Sequence, residues 1–273
     1  MMNIVDQNGW AARKRVLPIT DGRSLAYIDT GGSGPTLLLL HGYSDSSRSF
    51  SLLEPWLCGY RLVIPDLPGH GGSAVGTGMT VADFTDDIVA LMAALSVERF
   101  AVIGHSMGAM IGIDLAARLH DVVSALVTIS GTVRPAFPQD DPVTDGILGL
   151  CDPIDPGNPF FDLWHACPHP VDPGFLAPIS REAAAISAEI WHGILVCFST
   201  LDLTETAIQV RAPVLCMAGS EDVLFDAGHR LALEDALPKA QSVLMEGFGH
   251  NPHWEDPEKV SVVLRDFFQA TFD

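Results

Sequence analysis

Basic residues are scarce. The 273-residue chain carries 15 Lys and Arg against 34 Asp and Glu, a net charge of −19. Such a surface repels nucleic acid and anionic membranes, so neither is an expected partner. Beyond that, the charge describes a solvated acidic surface and says little about substrate. No apolar run reaches the ~18 residues needed to span a bilayer. Met1 to Trp10 lacks a basic flank followed by an apolar run, so no signal peptide is read there. Cysteine is sparse and unpatterned. Cys58, Cys151, Cys167, Cys197 and Cys216 are odd in number and form no C-x-x-C pair, which argues against a disulfide framework and fits reduced thiols. Charged residues make up only 18% and apolar residues 48%, which excludes a disordered chain. The expectation is a soluble cytoplasmic enzyme, a monomer or homodimer, long enough for one α/β domain with an insertion.

What is present is an alternation of short apolar runs with helical stripes. Residues 14–18 and 24–29 read as strands around a turn at Asp21-Gly22. Apolar runs follow at 36–40, 61–65, 100–103, 125–129, 214–218 and 241–245. Their lack of polar alternation suits parallel strands covered on both faces. Val81, Phe84, Ile88, Leu91, Met92 and Leu95 recur at helical spacing behind a Thr80/Asp83 capping box. Val260, Val263, Leu264, Phe267 and Phe268 form a similar stripe near the end, with Glu255, Asp256 and Glu258 where the helix dipole favours negative charge. This rhythm predicts an α/β sheet. It stops between Thr132 and Val210, where no strand is read and ten prolines lie from Pro135 to Pro178. Residues 180–198 read as one helix with Ile186, Ile190, Trp191 and Ile194 on one side. A connection this long is usually functional when ordered; 132–210 is expected to cover the top of the sheet.

Gly104-His105-Ser106-Met107-Gly108 follows the 100–103 strand directly and precedes an apolar helix. A serine on such a sharp strand-to-helix turn exposes its hydroxyl, and flanking glycines admit close chain approach. The N–H of Met107 then lies near a helix N-terminus, where it can hold an oxyanion. A serine nucleophile needs a base. His250 follows the last strand, on the expected edge of the sheet. His253 is its rival, nearer the acidic helix start, where a surface position is expected. The base needs a carboxylate, and Gly219-Ser220-Glu221-Asp222 follows the fifth apolar run. Asp222 is the choice and Glu221 its near rival.

These features resemble the α/β-hydrolase superfamily over most of the chain outside the insertion. The resemblance implies a mostly parallel twisted sheet of about eight strands flanked by helices. The core would be 1–131 and 211–273, with 132–210 an α-helical cap. His41-Gly42-Tyr43 resembles the family's oxyanion loop, which implies the N–H of Tyr43 as a second oxyanion donor. Asp66-Leu67-Pro68-Gly69-His70-Gly71-Gly72-Ser73 resembles the family's D-x-P-G-H-G-x-S stretch, whose role is structural, so His70 is expected to be packed rather than catalytic. Ala109 departs mildly from relatives that carry a second glycine there. The serine at 106 argues against the similar haloalkane dehalogenases and epoxide hydrolases, which use aspartate.

The expected reaction is hydrolysis of a small to medium, largely apolar carboxylic ester or lactone, without cofactor or metal. His165 and His169 flank Cys167 but have no further spaced ligands around them. Expected substrate contacts are His41, Phe137, Trp164 and Trp191. The insertion's aromatics fit an apolar pocket or the cap's own core equally well. Ser44 and Ser46 to Arg48 fit helix capping better than substrate contact. A carbon–carbon (meta-cleavage product) hydrolase is the alternative enzyme, lowered by an insertion whose only basic residues are Arg134 and Arg181. A non-catalytic ligand receptor on the same fold is the alternative of another class.

Overall fold

The computed structural model describes all residues except 1–4, 20, 21, 139 and 273. Eight strands form one sheet: β1 (Arg15–Pro18), β2 (Ser24–Asp29), β3 (Thr36–Leu40), β4 (Arg61–Pro65), β5 (Phe100–His105), β6 (Val123–Ile129), β7 (Val214–Gly219) and β8 (Gln241–Met245). Their order is β1-β2-β4-β3-β5-β6-β7-β8. The β1–β2 and β2–β4 pairings are antiparallel, and all pairings from β4 through β8 are parallel. The expected turn at Asp21-Gly22 lies partly outside the described residues; Gly22 itself has φ +83°.

The helices are α1 (Val81–Ala94), α2 (Met107–Arg118), α3 (Pro142–Leu148), α4 (Phe160–Trp164), α5 (Pro173–Ala184), α6 (Ala188–Phe198), α7 (Thr204–Ala207), α8 (Ala227–Ala236), α9 (Pro252–Glu255) and α10 (Pro257–Phe272). The Thr80/Asp83 capping box is complete, each side chain bonding the other's backbone N–H.

Two cores, one on each face of the sheet, follow from period-2 alternation. Leu38 and Leu40 of β3 and Phe100 and Val102 of β5 join the core built with α1, α2 and α8. Leu37, Leu39, Ala101 and Ile103 join the core built with Trp10, Phe50 and α10. A strand buried on both faces has no polar position to spare, which is why these runs read as continuously apolar. Each such Leu contributes ~1.5–3 kcal/mol by leaving water. β8 departs from that expectation. It is the edge strand, and Gln241, Ser242 and Leu244 are exposed.

Between β6 and β7 the described residues contain α3 to α7 and no strand. The helix expected over 180–198 is two helices. Pro173, at the first position of α5, starts the chain helical earlier than the periodicity suggested. Ser187 then interrupts it, with extended backbone and a hydroxyl that accepts from the N–H of Ile190 to cap α6. The expected face holds nevertheless: Ile186, Ile190, Trp191 and Ile194 are all buried.

Candidate active site

Because β3 to β8 run parallel, the loops after β3, β5, β7 and β8 all leave the same edge of the sheet. β3 and β5 are also where the strand order reverses, the crevice where open α/β sheets place ligands. Ser106 ends β5 and starts α2 with φ +51° and ψ −114°, a conformation that costs a non-glycine residue about 1–3 kcal/mol. The surroundings hold it there. Its N–H donates to the Ile129 carbonyl (2.9 Å), and its own carbonyl accepts from Ala109 (3.0 Å). A Cβ on Gly104 would meet the Gly108 carbonyl at 2.2 Å, and one on Gly108 the Leu40 carbonyl at 2.0 Å. Both glycines are therefore required by backbone approach. Ala109 fits because Gly131 faces it; a Cβ on Gly131 would lie 2.8 Å from that of Ala109.

Gly108→Ala pushes α2 off the end of β3, and so moves the serine turn and the 41–43 loop together. The expected outcome is a loss of about 3 kcal/mol or more in urea unfolding, since overpacking against backbone finds no flexible side chain to yield. A change within ~0.5 kcal/mol would mean the approach is looser than drawn.

His250 and Asp222 meet. His250 Nδ1 lies 2.8 Å from Asp222 Oδ2, with both side chains buried. Asp222 Oδ1 accepts from the N–H groups of Leu224 and Phe225, both at 2.9 Å. Burial opposes the charge on Asp222, but the imidazole and these amides outweigh it and hold the carboxyl below its ordinary value. The two loops are brought together by β7 and β8: a Cβ on Gly219 would strike the Phe248 carbonyl at 2.1 Å, and Glu221 donates its N–H to that carbonyl (2.8 Å). Glu221 itself is exposed. His253, expected near the surface, is fully buried against Phe50 and His105. α9 turns it inward before the acidic start of α10 begins.

Ser106 and His250 line one cleft together with Gly42, Tyr43, Ser44, Asp45, His105, Trp164, His165, Leu224, Asn251 and Trp254. His70 holds the Tyr43 segment: its Nε2 donates to the Tyr43 carbonyl (2.5 Å), and its Nδ1 lies 2.9 Å from that of Pro68. Asp66, wholly buried, accepts from Ser47 and Gly72 N–H groups and from Lys14, at 2.7–2.8 Å.

Of the four expected substrate contacts, only Trp164 lines the cleft; its Nε1 donates to Ser44 Oγ (2.6 Å). Trp191 is core, packed on Tyr43, Phe160, Phe161 and Trp164, and its carbonyl accepts the Tyr43 hydroxyl. Phe137 stacks on Phe198. His41 is enclosed, its Nε2 accepting from Leu67 N–H (2.9 Å). Ser46 caps a 3-10 turn, and Arg48 ties it to Glu182 of α5 (2.6 Å).

Sequence reasoning missed a polar cluster behind His250. His105 Nε2 donates to the His250 carbonyl (3.0 Å), and its Nδ1 lies 3.7 Å from Asp45. Ser49 Oγ donates to Asp45 (3.1 Å) and lies 3.2 Å from His253 Nε2. Burial opposes the charge on Asp45 and the neighbouring His105 outweighs it, so Asp45 sits below its ordinary value. Burial lowers both histidines. The only available signals were position: His105 beside the serine, Asp45 three residues past Gly42.

A groove of about 730 Å³ lies elsewhere, by Val5, Arg13, Glu54 and Tyr60. It includes neither Ser106 nor His250, and its Arg13 is paired with Glu54. Among the described residues no cluster of three His, Cys, Asp or Glu is placed to hold a metal, and no helix is long and apolar enough to cross a membrane.

Comparison with known proteins agrees with this architecture. The family model described as "alpha/beta hydrolase fold" matches residues 35–257. The chain is 30% identical to a pimeloyl-[acyl-carrier protein] methyl ester esterase of Nitrosomonas europaea, over 85% of this chain and 95% of that protein. Among solved structures it resembles an enol-lactonase from Burkholderia xenovorans LB400 (TM-score 0.79, 20% identity, 93% of this chain and 100% of that one). It also resembles an esterase from Rhodococcus sp. ECU1013 (TM-score 0.79, 22% identity, 95% and 99%). With the serine turn, the parallel sheet and the matched span in agreement, this chain belongs to the alpha/beta-hydrolase fold family.

Proposed function

We propose that the protein is a serine hydrolase of small to medium, largely apolar carboxylic esters or lactones. Ser106 is the nucleophile, His250 the base and Asp222 its orienting acid. The observation that carries this reading is the 2.8 Å contact from His250 Nδ1 to Asp222, which leaves Nε2 for the cleft it shares with Ser106. Ser106 Oγ attacks the carbonyl carbon as its proton passes to His250. The N–H groups of Tyr43 and Met107 hold the oxyanion. His250 then protonates the leaving alcohol, and water repeats the sequence on the acyl-enzyme to release the acid. Nothing in this cycle calls for a metal or cofactor. The helices of 132–210 act as the cap: α4 supplies Trp164 over the cleft, and Arg48–Glu182 ties α5 to the loop below. The name of the Nitrosomonas relative, a methyl ester esterase, supports the ester reading. Arg134 is exposed and paired with Asp202 (2.9 Å), and neither it nor Arg181 lines the cleft. The carbon–carbon alternative therefore lacks a cation for its acidic substrate.

p-Nitrophenyl esters of graded chain length test the reading. Turnover is expected, with an initial burst of p-nitrophenol if deacylation is slower than acylation. Folded protein that turns over none of them contradicts the proposal.

A further inference from the structure

The cleft over Ser106 amounts to about 20 Å³, room for roughly one water. No ester fits there. A second space of about 280 Å³, a groove open to solvent, lies between α4, α5 and the 165–171 segment that joins them. His165 is the one described side chain that borders both spaces. Its Nδ1 lies 3.3 Å from Ser180 Oγ, while its buried Nε2 has no partner. Phe161 stacks flat against the ring, 5.8 Å away at 12°. On the far side Cys167, Val171 and Leu176 give an apolar wall. Asp162 and His169, both exposed, also border the groove, and no Lys or Arg does.

We infer that this groove binds one arm of the ester, an uncharged apolar group, and that His165 is the movable partition between it and Ser106. The inference rests on the serine hydrolase reading. Size sets the class: benzene occupies a cavity of ~150 Å³, so the groove has room for a phenyl ring or a chain of about six to eight carbons. Charge sets the sign, because an anionic arm would face the Asp162 carboxylate with no Lys or Arg beside it. The unpartnered Nε2 gives the partition a reason to move. A buried nitrogen without a partner disfavours the closed arrangement, and a substrate oxygen or admitted water would supply one. His165 is neutral at pH 7, since burial pushes it down to about 4, so its displacement moves no charge through an apolar wall.

Two variants act in opposite directions. Val171→Trp fills the groove and His165→Ala removes the partition. The readouts are kcat/KM for p-nitrophenyl octanoate (acyl arm lengthened) and 2-naphthyl acetate (alcohol arm enlarged), each divided by that for p-nitrophenyl acetate. Val171→Trp is expected to lower at least one ratio by roughly tenfold, the loss of a few methylene contacts. His165→Ala is expected to raise the same ratio by about fivefold. Whichever ratio moves identifies the arm. If both ratios stay within about twofold in both variants while a fluorophosphonate probe still labels Ser106, the groove assignment is overturned and the hydrolase reading stands. If wild-type Ser106 takes no label and no ester turns over, the hydrolase reading fails and takes this inference with it.

Discussion

Replacing Ser106 by Ala is expected to lower kcat by about a millionfold, with KM changed little. The magnitude follows from how a triad works: the hydroxyl, its base and the orienting acid act as one unit, so removing the nucleophile removes nearly everything the unit provides. Asp222→Asn is expected to lower kcat about 10⁴-fold. The 2.8 Å geometry to His250 persists, but an amide neither compensates an imidazolium nor selects the tautomer that leaves Nε2 free for Ser106. The Ser106→Ala/His250→Ala double variant should be no slower than Ser106→Ala alone, because the two losses are the same loss. Steady-state kinetics on a p-nitrophenyl ester measures all three. Ser106→Ala retaining more than about one-hundredth of wild-type kcat would place the nucleophile elsewhere.

Acid is expected to unfold the protein in a window set by histidines rather than carboxylates. His41 and His165 are buried and uncharged, and burial pushes them down to about 3 and about 4. Unfolded, each has the ordinary value near 6.5. As pH falls below about 6.5 the unfolded chain binds protons that the folded chain refuses, so stability declines with falling pH, by about 1.4 kcal/mol per pH unit for each histidine. The loss continues until the folded pKa is reached. From pH 6 to 4 the pair alone removes about 5 kcal/mol, comparable to the whole stability of many domains. Burial also lowers His70, His105 and His253, which steepens the slope. The carboxylates come later. Burial opposes the charge on Asp66, Lys14 and the surrounding donors outweigh it, and Asp222 behaves likewise. Their folded values lie below about 3.9, so the stability they contribute is present above that value and disappears only as pH falls through the lower folded one. Urea midpoints at half-unit steps from pH 7 to 4 measure the slope, with m required to stay constant. His165→Phe should flatten it by about one histidine's share. A midpoint that does not move between pH 6.5 and 4.5 would show these imidazoles to be wet in solution.

Much of the sheet was legible because each inner strand is buried on both faces. The bounds of β3 and β4 coincide with the apolar runs, since a strand with no solvent face leaves no polar residue to blur its ends. The break within 180–198 was not legible for the opposite reason: α5 ends at Ala184 and Ser187 caps α6 within a continuous apolar stripe, and a stripe records burial rather than chain breaks. Ser106 and His250, singled out at the ends of β5 and β8, do line one cleft, and Asp222 does meet His250. Trp191 and Phe137 were not separable from Trp164 by sequence. All three are aromatic and apolar, and only their packing partners distinguish a core side chain from a cleft wall.

By itself the sequence determined the elements and the ends from which reactive side chains emerge, because periodicity, glycine placement and capping act over a few residues. Only the tertiary structure decided which polar groups lose their water. Asp45, His105, His165 and His253 come from the loop after β3, the end of β5, the helical insertion and α9. Their burial, their pKa values and the closed space over Ser106 arise from how those segments pack, a distance that no local pattern along the chain encodes.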